Sequence, residues 1–153
     1  MHNLFPKDDE IEENNIERLL EEPIDFKGSY LFDFEKGDFV IDSDGTIAKC
    51  DDFQAYKQWC QKALLTNRYN KLCYSNLYGQ DFKELINSNL NKSAIELEIK
   101  RMIEETLIVN PRTKDVNDFS FKWSENKEEV YCIFEVISIE NNNFKLDTMV
   151  KVG

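Results

Sequence analysis

Histidine is almost missing from this sequence of 153 residues, which contains only His2. Mechanisms in which a histidine base activates a serine or cysteine nucleophile therefore have a single candidate, at the second residue. The four cysteines (Cys50, Cys60, Cys73 and Cys132) form no C-x-x-C pair. Because Cys60 and Cys132 fall on apolar faces of their elements, we expect reduced core thiols and no zinc site.

Long apolar runs and glycine-rich loops are missing as well. No segment approaches the ~20 apolar residues of a membrane-spanning helix, and the N-terminus lacks the charged and then apolar pattern of a signal peptide. The five glycines are scattered, so no glycine-rich phosphate-binding loop is present. These absences predict a protein that is made in the cytoplasm and has no membrane contact.

Negative charge, in contrast, is abundant and unevenly spread. The formal net charge is −11, and residues 1–25 contribute −7 of it, from nine acidic residues against Lys7 and Arg18. Such a chain is not expected to bind nucleic acid. We expect residues 1–25 to be an acidic leader, either mobile or docked on a basic neighbour, with a narrow apolar stripe at Ile16, Leu19 and Leu20. Residues 26–153 are predicted to form a single domain.

The first half of this domain combines short strands with helices. Alternating apolar residues from Ser29 to Cys50, with turn signals at Lys36-Gly37 and Ser43-Asp44-Gly45, predict a small β-meander. A helix follows Asp51, which can cap it, and its buried stripe is predicted to contain Phe53, Tyr56, Cys60, Ala63 and Leu64.

Later segments predict two more helices and an antiparallel sheet. A short helix carries Phe82, and a long helix is expected to start at the capping box Ser93–Glu96 and to end near Asn110. Three strands follow, at 119–123, 130–139 and 144–152. The middle strand is apolar on both faces, which predicts a central strand covered on both sides. The predicted fold class is therefore α+β, with a small β-meander and helices packed on a C-terminal antiparallel sheet.

One motif is typical of an enzyme. Val40 to Ile47 resembles the D-x-D-G-T signature of haloacid-dehalogenase-type phosphatases, in which Asp42 would be the nucleophile and Asp44 the acid/base beside Mg²⁺. The chain after it predicts helices and antiparallel hairpins, not repeated βα units. We therefore favour a tight hairpin turn at Asp44-Gly45, no catalytic residues, no metal and no cofactor, and keep the Mg²⁺-dependent phosphatase as the alternative. A third hypothesis is an acidic mimic that occupies a nucleic-acid-binding protein.

Several segments of this sequence resemble, in their order and spacing, the segments of one protein family. They are Tyr30–Val40, Asp44-Gly45, Tyr56–Trp59, Lys62–Leu64, Tyr69, Tyr74–Gly79 and Ile99–Arg112. The likeness spans roughly residues 29 to 139. In these segments the chain resembles the baseplate wedge proteins that initiate the sheath of contractile tails, in phages, defective prophages and tail-like bacteriocins. The resemblance implies a structural, non-enzymatic protein with a compact α+β fold.

The resemblance also implies partners and sites. Family members sit in a sixfold ring around the tail tube and hub, between neighbouring wedge proteins and the first ring of tail sheath protein. Such a component is made in the cytoplasm of the bacterial host. The family's Glu-Pro-Arg tripeptide, which helps seat the protein on the wedge, corresponds here to Asn110, Pro111 and Arg112, with asparagine in place of glutamate.

The terminal strand is the second implied site. Sheath subunits in such particles are joined by donated strands, and an edge strand offers free N–H and C=O groups to another chain. The predicted sheath-binding residues are Phe144, Lys145, Leu146, Asp147, Thr148, Met149 and Val150. The hypothesis is that this strand nucleates the sheath by strand addition.

Overall fold

The structure, a computed structural model, describes residues 26–153. The predicted acidic leader and its apolar stripe lie outside the described residues. Over the described part, the chain runs from a group of short strands through two helices to a C-terminal antiparallel sheet. This order confirms the predicted α+β class.

Residues 29–50 form the predicted β-meander, which we call the hairpin layer. Its strands have only two residues each: β1 (Ser29–Tyr30), β2 (Phe32–Asp33), β3 (Asp38–Phe39) and β4 (Lys49–Cys50). β2 pairs with β3, and β4 returns to pair with β1, both antiparallel. The turns contain Gly37 and Gly45, whose φ angles are 72° and 83°. Glycine adopts such angles at little steric cost, which explains both turn signals.

Two helices and a short 3-10 turn (Phe82–Leu85) follow. Helix α1 (Asp52–Leu65) starts as predicted, because Asp51 Oδ1 accepts a hydrogen bond from the Gln54 N–H at 2.7 Å. Helix α2 (Lys92–Ile108) starts before the predicted capping box, since the side chain of Asn91 accepts from the Ala94 N–H at 2.9 Å. The capping box at Ser93–Glu96 was therefore wrong; Glu96 instead accepts a hydrogen bond from the indole N–H of Trp123.

The C-terminal sheet has three antiparallel strands in the order β5 (Thr113–Trp123), β6 (Glu129–Ser138) and β7 (Asn143–Lys151). The prediction that the middle strand is central is confirmed. β5 begins at Thr113, six residues before the predicted start at Phe119. Residues 113–117 also pair with β6, on the other side of a register shift between Asn117 and Ser120. Polar residues such as Asp115 and Asn117 are poor strand formers, which hid this part of β5 in the sequence.

The core lies between one face of this sheet and the helices. From α2 it contains Ile99, Ile103 and Leu107, and from β6 Val130, Cys132, Phe134 and Val136, all fully buried. The predicted cover on the second face of β6 was wrong, because Tyr131 and Ile133 on that face are each 42% exposed. The described helices pack on the face that carries Phe134, and the opposite face contacts solvent.

Two of the four cysteines lie in the core. Cys60 and Cys132 are buried free thiols, as predicted, and burial raises the pKa of each to about 12. Such thiols are weak nucleophiles at neutral pH. Within residues 26–153, neither helix combines the length and the apolar character needed to cross a bilayer.

Candidate functional site

The connection between α2 and β5 contains the three residues predicted to contact the wedge. Pro111 disfavours helical geometry in the residue before it, so α2 ends ahead of it. The side-chain Oδ1 of Asn110 accepts a hydrogen bond from the Arg112 N–H at 2.9 Å. The backbone carbonyl of Asn110 accepts one from the Thr113 N–H, also at 2.9 Å. Asn110 therefore holds a tight turn from helix to strand, a role for which its short side chain is suited.

The guanidinium of Arg112 points into the domain, where the residue is only 3% exposed. Its Nη1 donates to the backbone carbonyl of Asp52 (2.9 Å) and its Nη2 to the Asp52 carboxylate (3.0 Å). Nη2 also donates to a carboxylate oxygen of Glu140 at 2.8 Å. Arg112 thus ties the start of α1 and the turn after β6 to the start of β5.

Three aromatic rings surround the same guanidinium. The Arg112 Cζ atom lies 4.4 Å from the ring centroid of Phe26, 5.5 Å from that of Phe53 and 5.3 Å from that of Tyr56. Burial alone would lower the pKa of Arg112, but the hydrogen bond and charge of Glu140, followed by those of Asp52, outweigh burial and raise it. The side chain therefore remains charged, and the two carboxylates that it contacts belong to its own chain. The predicted contact between Arg112 and the wedge stays a prediction.

A groove of about 610 Å³ opens between the hairpin layer and α1, and both Asn110 and Arg112 line it. We call it the aromatic groove, because its walls include the rings of Phe26, Tyr30, Phe32, Phe39, Tyr56 and Trp59. Tyr30 and Phe39 are 50% and 44% exposed. The lining contains three cationic side chains (Lys27, Lys62 and Arg112) against one carboxylate, that of Asp52. Large rings left half exposed around a concavity mark a binding surface.

A single glutamine positions the wall of this groove. Gln58, on α1, accepts a hydrogen bond from the Phe32 N–H at 2.6 Å and donates one to the Tyr30 carbonyl at 3.0 Å. These bonds fasten the hairpin layer to the helix. Sequence reasoning missed the groove, although four phenylalanines between residues 26 and 39 were an available signal.

The predicted sheath-binding residues form most of β7, an edge strand of the sheet. At the two ends of the β6–β7 pair, the Ser138 N–H donates to Asn142 O (3.1 Å) and the Val152 N–H to Glu128 O (2.8 Å). Because the bonding direction alternates along an antiparallel strand, the even-numbered backbone groups of β7 face β6. The odd-numbered groups, at residues 143, 145, 147, 149 and 151, face outward.

The two outer edges of the sheet differ. β7 pairs with β6 through nine consecutive residues without a register shift. β5 has two register shifts, and Asp118 in the second has a φ of 54°. A bulged edge is a poor template for another strand, whereas a regular one is a good template. Among residues 26–153, neither edge pairs with a further strand.

The D-x-D-G-T string forms the hairpin turn that we favoured. The Asp42 N–H donates to the Thr46 carbonyl (2.8 Å), and the Gly45 N–H donates back to the Asp42 carbonyl (3.0 Å). Asp44 Oδ1 accepts hydrogen bonds from the Thr46 N–H and hydroxyl, which lower the pKa of Asp44. The string therefore lies in an antiparallel hairpin instead of at the end of a parallel strand, where the phosphatases place it. In the described residues, no three His, Cys, Asp or Glu side chains are grouped to hold a metal ion.

This chain is similar to known proteins in fold and in sequence. A solved structure named putative tail lysozyme, from Geobacter sulfurreducens, superimposes with a TM-score of 0.56 over 68% of this chain and 94% of that one. At 16% sequence identity, this likeness shows the fold alone. The phage-like element PBSX protein XkdS of Bacillus subtilis (strain 168) is 25% identical over 142 residues, which are 92% of this chain and 94% of that protein.

A family comparison covers most of the described domain. The family described as contractile injection system sheath initiator matches residues 28–141. This range contains the hairpin layer, both helices, the Arg112 connection, β5 and β6, and it ends before β7. The chain therefore belongs to the sheath initiator family of contractile injection systems, and its role is that of a structural component of the phage tail baseplate.

Proposed function

We propose that this chain links the baseplate wedge to the first sheath ring and nucleates the sheath by accepting a strand on the outer edge of β7. The observation that carries the proposal is the regular, unpaired edge of this strand. Each of its five outward-facing residues offers one N–H and one C=O to an incoming strand. Because the family match ends at residue 141, the role of β7 depends on the geometry of this chain.

The acceptor strand is held in place before any partner binds. Phe144 packs edge-on against Phe53 and Tyr56 of α1, with ring centroids 5.7 Å and 5.5 Å apart. Val150 is 1% exposed in the core. A fixed acceptor leaves only the incoming strand to be ordered, which lowers the entropic cost of association. Sheath assembly would therefore start on the baseplate and not in solution.

The proposed wedge contact uses the aromatic groove beside Asn110, Pro111 and Arg112. Arg112 is engaged within the chain, so its role in this proposal is to hold the floor of the groove. The half-exposed Tyr30 and Phe39 supply apolar contact area. Aromatic side chains of this kind are enriched at the energetic centres of protein interfaces.

We propose that the protein has no catalytic activity. The word lysozyme in the name of the structural relative describes that protein, and the likeness extends only to the fold. A glycosidase needs a carboxylic acid with a raised pKa. Within residues 26–153, Asp33 and Asp44 instead have a lowered pKa, because each accepts hydrogen bonds from nearby backbone N–H groups.

The wider setting of the proposal follows the family. The protein would be made in the cytoplasm of the bacterial host and join a sixfold ring around the tail tube and hub, with no nucleic acid bound. Its body and leader are both acidic on balance, which disfavours contact with a phosphate backbone.

The strand proposal is tested by substituting proline at an outward-facing position of β7. Lys145→Pro removes one N–H that makes no bond to β6, and proline is tolerated on edge strands. We expect Lys145→Pro to stay folded and to lose at least about tenfold in affinity for the sheath subunit from the same gene cluster, because the ring blocks strand addition. Affinity is measured by co-expression, affinity purification and titration.

Two matched variants complete the test. Lys145→Ala removes the same charge and keeps the N–H, so it should bind the sheath subunit like the wild type. Leu146→Pro removes an N–H that bonds to β6, so it should lower the melting temperature. Deleting residues 144–153 is a poorer test, since Phe144, Val150 and Val152 belong to the core. A folded Lys145→Pro variant with unchanged sheath affinity would overturn the proposal.

A further inference from the structure

The aromatic groove has a feature that its proposed contact with the wedge does not use. Phe26, the first described residue, forms part of its wall, and Phe26 also stacks on Arg112. Residues 1–25 are therefore attached to the chain at the groove itself. A segment tethered this closely to a binding surface acts at an effective concentration in the millimolar range.

The chemistry of the leader matches that of the groove. The leader has nine acidic residues against two basic ones, and its apolar residues include Ile16, Leu19 and Leu20. The groove presents half-exposed rings, and Lys62 adds a cationic side chain to its lining, whereas the charge of Arg112 is already paired with Asp52 and Glu140. A segment that offers both apolar side chains and carboxylates fits such a lining.

We propose that residues 16–20 of the leader bind in the aromatic groove of the same chain and compete there with the wedge protein. The leader is then an intramolecular ligand that covers Tyr30 and Phe39 until the wedge displaces it. Binding of the leader is independent of the proposed function, whereas the competition rests on it. The competition gives the acidic leader a regulatory role: the protein exposes its wedge-binding surface only where the wedge is present.

The test uses the full chain, alone in solution, with NMR as the readout. The double variant Leu19→Asp, Leu20→Asp removes the apolar side chains of the proposed ligand. The control Leu4→Asp adds an acidic residue in place of a leucine elsewhere in the leader. We expect the double variant to shift the Tyr30 and Phe39 amide signals and the Trp59 indole signal, and the control to leave them unchanged. In the wild type, the amides of residues 16–20 should relax with the correlation time of the domain.

A variant on the groove side closes the test. Tyr30→Ala removes a half-exposed ring and keeps the backbone carbonyl through which Tyr30 bonds to Gln58. It should release residues 16–20, seen as faster local motion in relaxation measurements. Identical spectra for the wild type and the double variant would overturn the proposal. Shifts that depend on protein concentration would also overturn it, since they would mean that the leader binds a second copy.

The proposed competition between the leader and the wedge protein is tested separately. The double variant should bind the wedge protein about three- to tenfold more tightly than the wild type, because no leader has to be displaced. If the NMR result holds and the wedge does not bind, the proposed wedge contact fails while leader binding stands. If the wedge binds equally to both proteins, the leader has no regulatory role.

Discussion

The hairpin layer and the C-terminal sheet are both antiparallel β structure, yet different forces hold them. The strands of the sheet have nine to eleven residues, and one face of β6 is fully buried. The strands of the hairpin layer have two residues each, and Ala48 is its only buried residue. The sheet is stabilised by hydrophobic burial, whereas the layer depends on the pairing of its short strands and on the two hydrogen bonds that Gln58 makes with Tyr30 and Phe32.

Because of this difference, the two proposed binding surfaces are expected to differ in rigidity. A strand backed by a packed core keeps its outward N–H and C=O groups in a fixed geometry, as a template requires. A layer with few buried contacts opens locally at a low free energy and adapts to the partner that enters its groove. In the proposed function, the chain would therefore combine a rigid acceptor for the sheath with an adaptable surface for the wedge.

The largest expected effect is in the core of the sheet. Phe134→Ala removes a ring that is 0% exposed, and we expect a loss of about 3–5 kcal/mol in the free energy of unfolding, from lost burial and a cavity. Ile133→Ala, on the adjacent but 42% exposed position, should cost less than about 1 kcal/mol. Urea denaturation measures both. Similar losses for the two variants would mean that both faces of β6 are covered, as the sequence had predicted.

A smaller and more local effect is expected in the hairpin layer. Gln58→Ala leaves the Phe32 N–H and the Tyr30 carbonyl without their side-chain partner, which should cost about 1–2 kcal/mol. Hydrogen exchange should accelerate across residues 29–50 and stay unchanged in β5, β6 and β7. Gln61→Ala, exposed on the same helix, is the matched control and should alter neither region. Equal acceleration in the sheet would show that the two regions unfold as one unit.

The elements that could be predicted from the sequence are those with a strong local pattern. Four of the five residues predicted for the buried stripe of α1 are buried, and the fifth, Phe53, is partly buried. The cap at Asp51 was correct, because helix period and capping depend on residues within one or two turns. The central position of β6 was also correct, since a run of apolar residues between two turns is a local signal. The predicted start of α2 was wrong because Asn91 and Ser93 are both good caps, and the bond from the Ala94 N–H decides between them.

The site was less predictable, because it depends on pairs that are distant in sequence. Arg112 bonds to Asp52, 60 residues away, and to Glu140, 28 residues away. No spacing rule indicates such partners, so the sequence could not show that Arg112 bonds within its own chain. The aromatic groove likewise forms only when the hairpin layer folds onto α1. The outward-facing groups of β7 depend on register, which follows from the turn at residues 138–142 and could not be assigned from composition.

The smallest expected effect is at the tip of the hairpin layer. Asp44 accepts two hydrogen bonds from Thr46, and these lower the pKa of its carboxyl group below the usual value of 3.8. A lowered pKa in the folded state stabilises the fold at pH values above the unfolded pKa, and this contribution disappears as the pH falls through the folded pKa. Asp44→Asn should therefore melt slightly below the wild type at pH 7, and the difference should disappear as the pH falls through the lowered pKa of Asp44, where its carboxyl group becomes neutral.

Asp42→Asn is the control for this change, since no hydrogen bond to the Asp42 side chain is present in the turn and its melting temperature should match that of the wild type. The same two variants also test whether this loop is a structural turn or a phosphatase active site. If the D-x-D-G-T string served catalysis, the wild type would hydrolyse a generic phosphate ester with Mg²⁺, and both variants would lose that turnover. We expect no turnover in any of the three proteins, because the hydrogen bonds of Asp44 hold a hairpin and leave it no acid/base role. Measurable wild-type turnover that Asp42→Asn abolishes would restore the enzymatic interpretation of this loop.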